Sequence, residues 1–122
     1  MVKKHHVEGY ENFCKFIKEL DSEGQVVYVY FCGSKLENGE SWCDDCQRAK
    51  PVIQKELENA DPNAHFVYVE VGGKILIALF RKDPKTKLLV LPTIIKWKCP
   101  QRLEGDQCEK PELVNLLFTE ED

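Results

Sequence analysis

Residues 26–46 read VVYVYFCGSKLENGESWCDDC, and this stretch combines the signatures of a strand, a loop and the start of a helix. Residues 26–31 form an unbroken run of β-branched and aromatic side chains, which is typical of a central parallel strand buried on both faces. Glycine and asparagine indicate a loop over residues 33–41. A helix is expected from about residue 44 to residue 59, with Pro51 interrupting its hydrogen bonds.

The last five residues of this stretch are Trp42-Cys43-Asp44-Asp45-Cys46. Two cysteines three positions apart on a first helical turn can close a disulfide with little change in the backbone. Cys43 would lie at the helix N-terminus, where unpaired amides and the helix dipole favour the thiolate that attacks disulfides. Cys46 lies inside the turn and could attack the resulting mixed disulfide. Between a strand and a helix, this motif predicts redox chemistry, with Cys43 as nucleophile and Cys46 as resolving cysteine.

The remaining hydrophobic patterns predict alternating helices and strands. The expected elements are a helix near residues 10–22, strands at 65–71 and 93–98, a short antiparallel strand at 102–104 and a last helix from Pro111. Apolar residues 75–80 fit a buried helix or a strand, and we favour a helix because a crossover is needed there. The alternation predicts one α/β domain over residues 1–122, with a mainly parallel sheet and helices on both faces.

Composition and charge narrow the classes of function. The chain has 122 residues, of which 43% are apolar, and a net charge of −4, which argues against broad nucleic-acid binding and against anionic membrane surfaces. No apolar run approaches the ~20 residues of a membrane span, and residues 1–6 lack the apolar stretch of a secretory signal. Six cysteines without an export signal favour a reducing compartment over a three-disulfide framework. We therefore expect a cytoplasmic protein.

Two prolines strengthen the interpretation of the cysteine motif. Pro51 lies five residues after the second cysteine, and Pro92 precedes a predicted strand. Both positions resemble the thioredoxin superfamily, which has a proline kink in the active-site helix and a cis-proline beside the dithiol. Residues 31–35 and 41–46 are similar to those of a narrower group, the thioredoxin-related 14 kDa protein (thioredoxin domain-containing protein 17) family.

The resemblance implies a thioredoxin fold, with a central mixed sheet flanked by helices on both faces. It implies that the Leu91–Pro92 bond is cis and that the Leu91 backbone pairs with an extended substrate. Trp42, Leu91, Pro92 and Thr93 would then form the substrate-binding surface. We expect a monomer.

The resemblance also implies an activity. Members of the family are cytosolic reductases that act on small disulfides, persulfides and nitrosothiols, and they receive electrons from thioredoxin reductase. For this chain we therefore expect no bound cofactor, electrons from NADPH through thioredoxin reductase, and substrates such as cystine and flexible disulfide peptides.

Three features depart from the family or from classical thioredoxins. Asp44 replaces the proline usual in the family, and with Asp45 it is expected to tune the site, because a carboxylate there opposes a Cys43 thiolate. Tyr30 occupies the place of the buried aspartate of classical thioredoxins, an absence that the 14 kDa family shares. Residues 73–88 match the family poorly. Acidic residues in and after the loop predict poor handling of acidic or bulky folded substrates.

Two alternatives remain open, and the other cysteines and histidines have simpler interpretations. A thioredoxin-like domain could serve as a non-catalytic binding adaptor. A zinc site would need Cys99 and Cys108 as further ligands, but no second C-x-x-C or paired histidine accompanies them, so we expect no bound metal. Cys14 and Cys32 are expected to be buried, and Cys99 and Cys108 to lie at the surface. His5 and His6 are expected to belong to a solvated terminus.

Overall fold

The computed structural model describes residues 2–21, 24–73 and 75–120, and within them a five-stranded sheet carries helices on both faces. The strands are β1 (Lys3–Glu8), β2 (Val27–Cys32), β3 (His65–Glu70), β4 (Thr93–Lys96) and β5 (Arg102–Glu104). The helices are α1 (Tyr10–Asp21), α2 (Asp44–Glu56), α3 (Ile77–Lys82) and α4 (Pro111–Thr119), with short 3₁₀ helices at Leu57–Asn59 and Gly105–Glu109. None of the helices in these ranges is long and apolar enough to cross a bilayer.

The strand order in the sheet is β1-β3-β2-β4-β5. Strands β1 and β2 both run parallel to β3, whereas β4 is antiparallel to β2 and β5 is antiparallel to β4. The expectation of a mainly parallel sheet therefore holds only for the first three strands. The short connection between β4 and β5 permits only antiparallel pairing, which produces the mixed sheet that the resemblance implied.

Strand β2 is buried on both faces, as its sequence predicted. None of its six residues is more than 3% exposed. Tyr28, Tyr30 and Cys32 pack against α2 and α4, whereas the alternate residues pack against α1 and α3. Two hydrophobic layers thus meet at this strand, which holds the following loop and helix in place.

Strand β1 is the element that the sequence did not predict. It is an edge strand with a single buried residue, Val7, so its sequence lacks the apolar alternation of a typical strand. The expectation of a solvated terminus at His5 and His6 is wrong. The His5 ring lies 5.1 Å from that of His65, and His6 Nε2 lies 2.5 Å from an oxygen of Glu70. Strand β1 forms because it pairs with β3, an interaction that the sequence pattern does not reveal.

The apolar run at residues 75–80 contains helix α3, but the expectation that the run is buried is wrong. Only Phe80 is fully buried, with its ring 5.6 Å from Phe31 and 5.1 Å from Tyr10. Ile75 is 89% exposed, and Leu79 is nearly half exposed. A helix of six residues presents few positions to the sheet, so only Ile77 packs partly against the core beside Phe80, and the other apolar side chains of the run are exposed.

Candidate active site

The two cysteines of the motif lie at the N-terminus of α2, beyond the C-terminal end of β2. Cys43 is the N-cap residue, with extended backbone angles (φ −95°, ψ 109°), and its Sγ accepts a hydrogen bond from the Cys46 amide at 3.3 Å. Cys43 is half-buried, whereas Cys46 is only 3% exposed. An amide donor and the positive end of the helix dipole favour negative charge on the Cys43 sulfur.

Burial distinguishes the second cysteine from the first. Loss of hydration, and next the hydrogen bond with Cys43, raise the pKa of the Cys46 thiol well above its ordinary value, although the Gly33 amide acts in the opposite direction. Tyr30 lies beneath this thiol, and its hydroxyl donates to the Cys46 carbonyl at 3.4 Å. Burial also raises the pKa of Tyr30, so this phenol stays neutral. Cys46 is therefore the protonated partner of the pair.

A serine that the sequence analysis did not single out fixes the entry to the helix. Ser41 Oγ donates to the Gly33 carbonyl at 2.7 Å and accepts from the Cys43 amide at 3.1 Å. The Gln47 side chain donates to the Ser41 carbonyl at 2.6 Å. A serine just before a helix is a recognisable capping signal, and it could have been found on that basis. These bonds tie the end of the loop both to β2 and to α2.

Trp42 lies against the backbone at the ends of two strands. Its indole Nε1 donates to the Gly72 carbonyl at 2.9 Å. Its ring also covers Gly33 so closely that a Cβ on this glycine would lie 2.6 Å from Trp42 Cε2. The glycine that follows β2 is therefore needed for the tryptophan to reach its place beside the dithiol.

The proline segment completes the site. The Leu91–Pro92 peptide bond is cis, and the Leu91 carbonyl oxygen lies 3.9 Å from Cys43 Sγ. Thr93 is buried, and its hydroxyl donates to the Val90 carbonyl at 2.7 Å. The structure thus brings the predicted proline segment next to the first cysteine.

The two aspartates of the motif have different surroundings. Asp44 is exposed at the first position of α2. Asp45 pairs with Arg48, whose Nε also lies 3.2 Å from Glu109 Oε1. The charge of Asp45 is therefore largely balanced, and Asp44 is the carboxylate that faces the first turn without such a partner among the described residues.

Of the four remaining cysteines, Cys32 interacts electrostatically with Cys43 and Cys46, but the four do not form a ligand set with the dithiol. Cys99 is half-buried beside Trp97, at the end of the sheet opposite the site. Cys108 is fully buried, so the expectation that it lies at the surface is wrong; its thiol donates to the Leu103 carbonyl at 3.6 Å. The 3₁₀ helix containing it packs against α2 and β4, which encloses the side chain. A zinc site built from Cys43, Cys46 and these two residues has no support in this geometry.

Cys14 and Cys32 also differ from each other. Cys14 is half-buried on α1, less covered than predicted, because it lies at the edge of the face that packs on the sheet. Cys32 is buried as predicted, and it interacts with the Tyr68 hydroxyl. Burial raises the pKa of Cys32 to about 12. Cys32 is therefore an inert thiol near neutral pH.

One group of three potential metal ligands lies within the described ranges, on strands β1 and β3. His6, Glu8 and Glu70 place one ligand atom each within 4.8 Å of one another. Glu70 is buried, and its two oxygens are already used by His6 and by the Lys35 amide at 3.0 Å. The group accordingly connects β1 and β3 to the loop before the dithiol.

A mixed sheet with this strand order, a half-buried cysteine at a helix N-terminus and an adjacent cis-proline define a thioredoxin-fold protein with a dithiol site. The chain is similar in fold to a crystal structure of chloroplastic thioredoxin z, with a TM-score of 0.52 and 19% identity over 96% of both chains.

The chain belongs to the thioredoxin domain-containing protein 17-like family, whose thioredoxin-domain model matches residues 6–120. It is 38% identical over 117 residues to thioredoxin domain-containing protein 17 of Danio rerio and 34% identical over 121 residues to that of Homo sapiens, covering 94% of each chain. It is also 34% identical to thioredoxin-like protein Clot of Arabidopsis thaliana, over 80% of this chain and 78% of that protein. Family membership supports a thiol–disulfide oxidoreductase-type function in general.

Proposed function

We propose that this chain is a thiol–disulfide reductase in which Cys43 attacks a substrate disulfide and Cys46 resolves the intermediate. The position of the Cys43 sulfur carries the proposal. It is half-buried, accepts a hydrogen bond from the Cys46 amide and lies 3.9 Å from the Leu91 carbonyl. A substrate segment that pairs with the Leu91 backbone would therefore bring its disulfide to the attacking sulfur.

The reaction conserves atoms and electrons in two exchanges. The Cys43 thiolate attacks one sulfur of the substrate and releases the other as a thiolate, which leaves a mixed disulfide. The Cys46 thiol then gives its proton to the thiolate released in the first exchange, or to water, and attacks Cys43 Sγ, which releases the second substrate thiolate and forms the Cys43–Cys46 disulfide. The substrate gains two electrons, and the dithiol loses two. Because burial raises the pKa of Cys46, this cysteine stays protonated until the mixed disulfide forms.

Family membership and the site support our proposals for the electron donor, the substrates and the compartment. We place the reductase in the cytoplasm, as a monomer without a bound cofactor, and assign re-reduction of the disulfide to thioredoxin reductase, using NADPH. Cystine, persulfides, nitrosothiols and flexible disulfide peptides are the proposed substrates. Because the attacking sulfur is partly buried, substrates that are small or flexible enough to reach it are favoured over bulky folded proteins.

Of the four predicted substrate-binding residues, Trp42 and Leu91 are half-buried, whereas Pro92 and Thr93 are buried. Pro92 and Thr93 would therefore position the Leu91 backbone, and Trp42 and Leu91 form the proposed substrate surface. Leu76 extends it, because its side chain lies against Gly72, whose carbonyl binds the Trp42 indole. Leu76 is 50% exposed, so it is available to an apolar substrate side chain. A flexible peptide with apolar residues beside its cysteine therefore suits this surface.

Asp44 is the proposed tuning residue, because its exposed carboxylate opposes a thiolate in the same helical turn, whereas Asp45 is balanced by Arg48. Replacing Asp44 by Asn should speed alkylation of Cys43 by iodoacetamide, and replacing Asp45 should have less effect. Equal rates in wild type and Asp44→Asn would contradict this role.

A trapping experiment separates the reductase from a non-catalytic adaptor. In Cys46→Ser, the mixed disulfide on Cys43 cannot be resolved, so a reductase should accumulate substrate on Cys43, detectable by mass spectrometry. Cys99→Ser is the matched control, because it removes a half-buried thiol away from the site. An adaptor would bind the same partners with or without Cys43 and would accumulate no mixed disulfide.

A further inference from the structure

Two adjoining cavities open on the face of the sheet that carries α2. The larger has a volume of about 320 Å³ and lies between α2, β1 and β3, beside the edge strand. The smaller, of about 250 Å³, lies between α2 and the loop before the dithiol, and Cys46 is among its lining residues. The two share Tyr30, Lys35, Lys50 and Tyr68, and together they form one double cavity.

The floor of the double cavity is aromatic and apolar. The rings of Tyr30 and Tyr68 lie 5.4 Å apart, and Phe66 lies 6.2 Å from Tyr30. Ile53 of α2 and Leu57 of the following 3₁₀ helix also line the larger cavity. Tyr30 and Phe66 are buried, whereas Tyr68 is half-buried and therefore reachable from the opening. Such a floor fits a flat, apolar molecular body.

The rim of the double cavity is positive, although the whole chain has a net charge of −4. Lys4, Lys35 and Lys50 line it, and among the described residues none of these three lysines takes part in an ion pair. Three carboxylates are nearby. Glu8 and Glu70 group with His6, and Glu70 is bound by His6 and by the Lys35 amide and also interacts electrostatically with the Lys35 side chain, so it offsets part of that charge. Glu40 lines only the smaller cavity from the exposed loop.

We propose that the double cavity is a binding site for a small organic anion. A flat aromatic body would pack against Tyr68 and the apolar floor, and a phosphate or carboxylate would contact Lys35 and Lys50. The charge of the rim favours an anion over a neutral molecule of the same shape, and the concave shape and limited volume favour a small molecule over a peptide. The site is independent of the reductase activity, although a ligand in it would lie beside Cys46.

A titration followed by ¹H–¹⁵N NMR tests this site with three matched probes: 1-naphthyl phosphate, 1-naphthoate and the neutral 1-naphthalenemethanol. The two anions should shift the amide signals of Lys35, Lys50 and Tyr68, and their affinity should fall as salt is added. The neutral probe should bind at least about fivefold more weakly. Binding of all three with equal affinity, or no shifts at these residues, would overturn the proposal.

Two variants test the assigned cations. Lys50→Gln and Lys35→Gln should each weaken the binding of 1-naphthyl phosphate about three- to tenfold. Lys55→Gln removes the same charge from an exposed position farther along α2 that lines neither cavity, and it should bind like wild type. If all three variants bind alike, the anion site is not formed by these lysines. Lys35 and Lys50 are both exposed, so neither substitution should unfold the protein. The two variants therefore give independent measurements of the contribution of each lysine to binding.

Discussion

Two regions border the attacking sulfur, and they are built in opposite ways. The first, residues 33–46, is the dithiol corner, in which Ser41 and Trp42 are held by hydrogen bonds to the backbone of strand ends. The second, residues 75–91, is the apolar rim, which buries Phe80 and Leu88 but exposes five other large apolar side chains to 46–89%: Ile75, Leu76, Leu79, Leu89 and Val90. Internal bonds fix the corner, whereas the apolar rim keeps its surface available for other molecules.

The largest effect on stability is expected where the apolar rim meets the core. Phe80 is the fully buried phenylalanine of the apolar rim, and Phe80→Ala should lower the free energy of unfolding by about 3–5 kcal/mol. Leu79→Ala, one residue away but 46% exposed, should change it by no more than about 0.5 kcal/mol. Urea denaturation measures both. Similar losses in the two variants would mean that the exposed side chains are structural.

The dithiol corner should be sensitive to a single methyl group. In Gly33→Ala the new Cβ would collide with the Trp42 ring, so the indole must move and about 1–3 kcal/mol of stability should be lost, together with disulfide reductase activity. Gly73→Ala is the matched control, because a Cβ there meets nothing within 4 Å. A Gly33→Ala variant with the stability and activity of wild type would show that the close packing of Trp42 is not required.

The tie between the loop and the sheet edge should depend on pH. Burial alone would raise the pKa of Glu70, but the hydrogen bonds from the Lys35 amide and His6 outweigh it and lower this pKa. The ionised carboxylate therefore adds stability at neutral pH, and this contribution is lost as the pH falls below about 4. Glu70→Gln should cost about 1–2 kcal/mol at pH 7 and progressively less in acid.

Exposed Glu58→Gln is the control for Glu70, and it should change little at either pH. Urea denaturation at pH 7 and at pH 3.5 measures the difference. A constant penalty for Glu70→Gln across that range would show that its charge does not hold the loop.

The smallest effect is expected on the exposed surface of the apolar rim. Leu76→Ser should raise KM for a flexible disulfide peptide about three- to fivefold, because part of an apolar contact is lost, while cystine reduction and stability stay unchanged. Leu116→Ser is the control, because Leu116 is similarly exposed (55% against 50%) but lies on α4. Equal KM values for the two variants would show that the apolar rim does not contact the substrate.

The sequence predicted most elements because local patterns coincide with burial in this chain. β2 has alternate side chains buried in both layers, and α2 begins at the expected turn of Cys43 and Cys46. The cis bond before Pro92 was predicted from the resemblance to the thioredoxin superfamily, because the residue pattern alone does not distinguish a cis from a trans bond.

The remaining features depend on tertiary contacts that local patterns do not encode. β1 is held by pairing with β3 and by the contact between His6 and Glu70, not by apolar alternation. The run at residues 75–80 has the composition of a core segment, but only Phe80 is fully buried, and Ile77 packs partly against the core. Gly33 became informative only once the position of the Trp42 ring was known.

The central claim is that the Cys43 sulfur attacks a small disulfide and that the dithiol thereby passes two electrons to it, and one assay tests this directly. NADPH consumption is followed with thioredoxin reductase and cystine for wild type, Cys43→Ser and the control Cys99→Ser. Wild type and Cys99→Ser should turn over at the same rate, and Cys43→Ser should fall to the rate without protein. Cystine reduction that continues in Cys43→Ser, or that is absent in wild type, would contradict the proposed reductase.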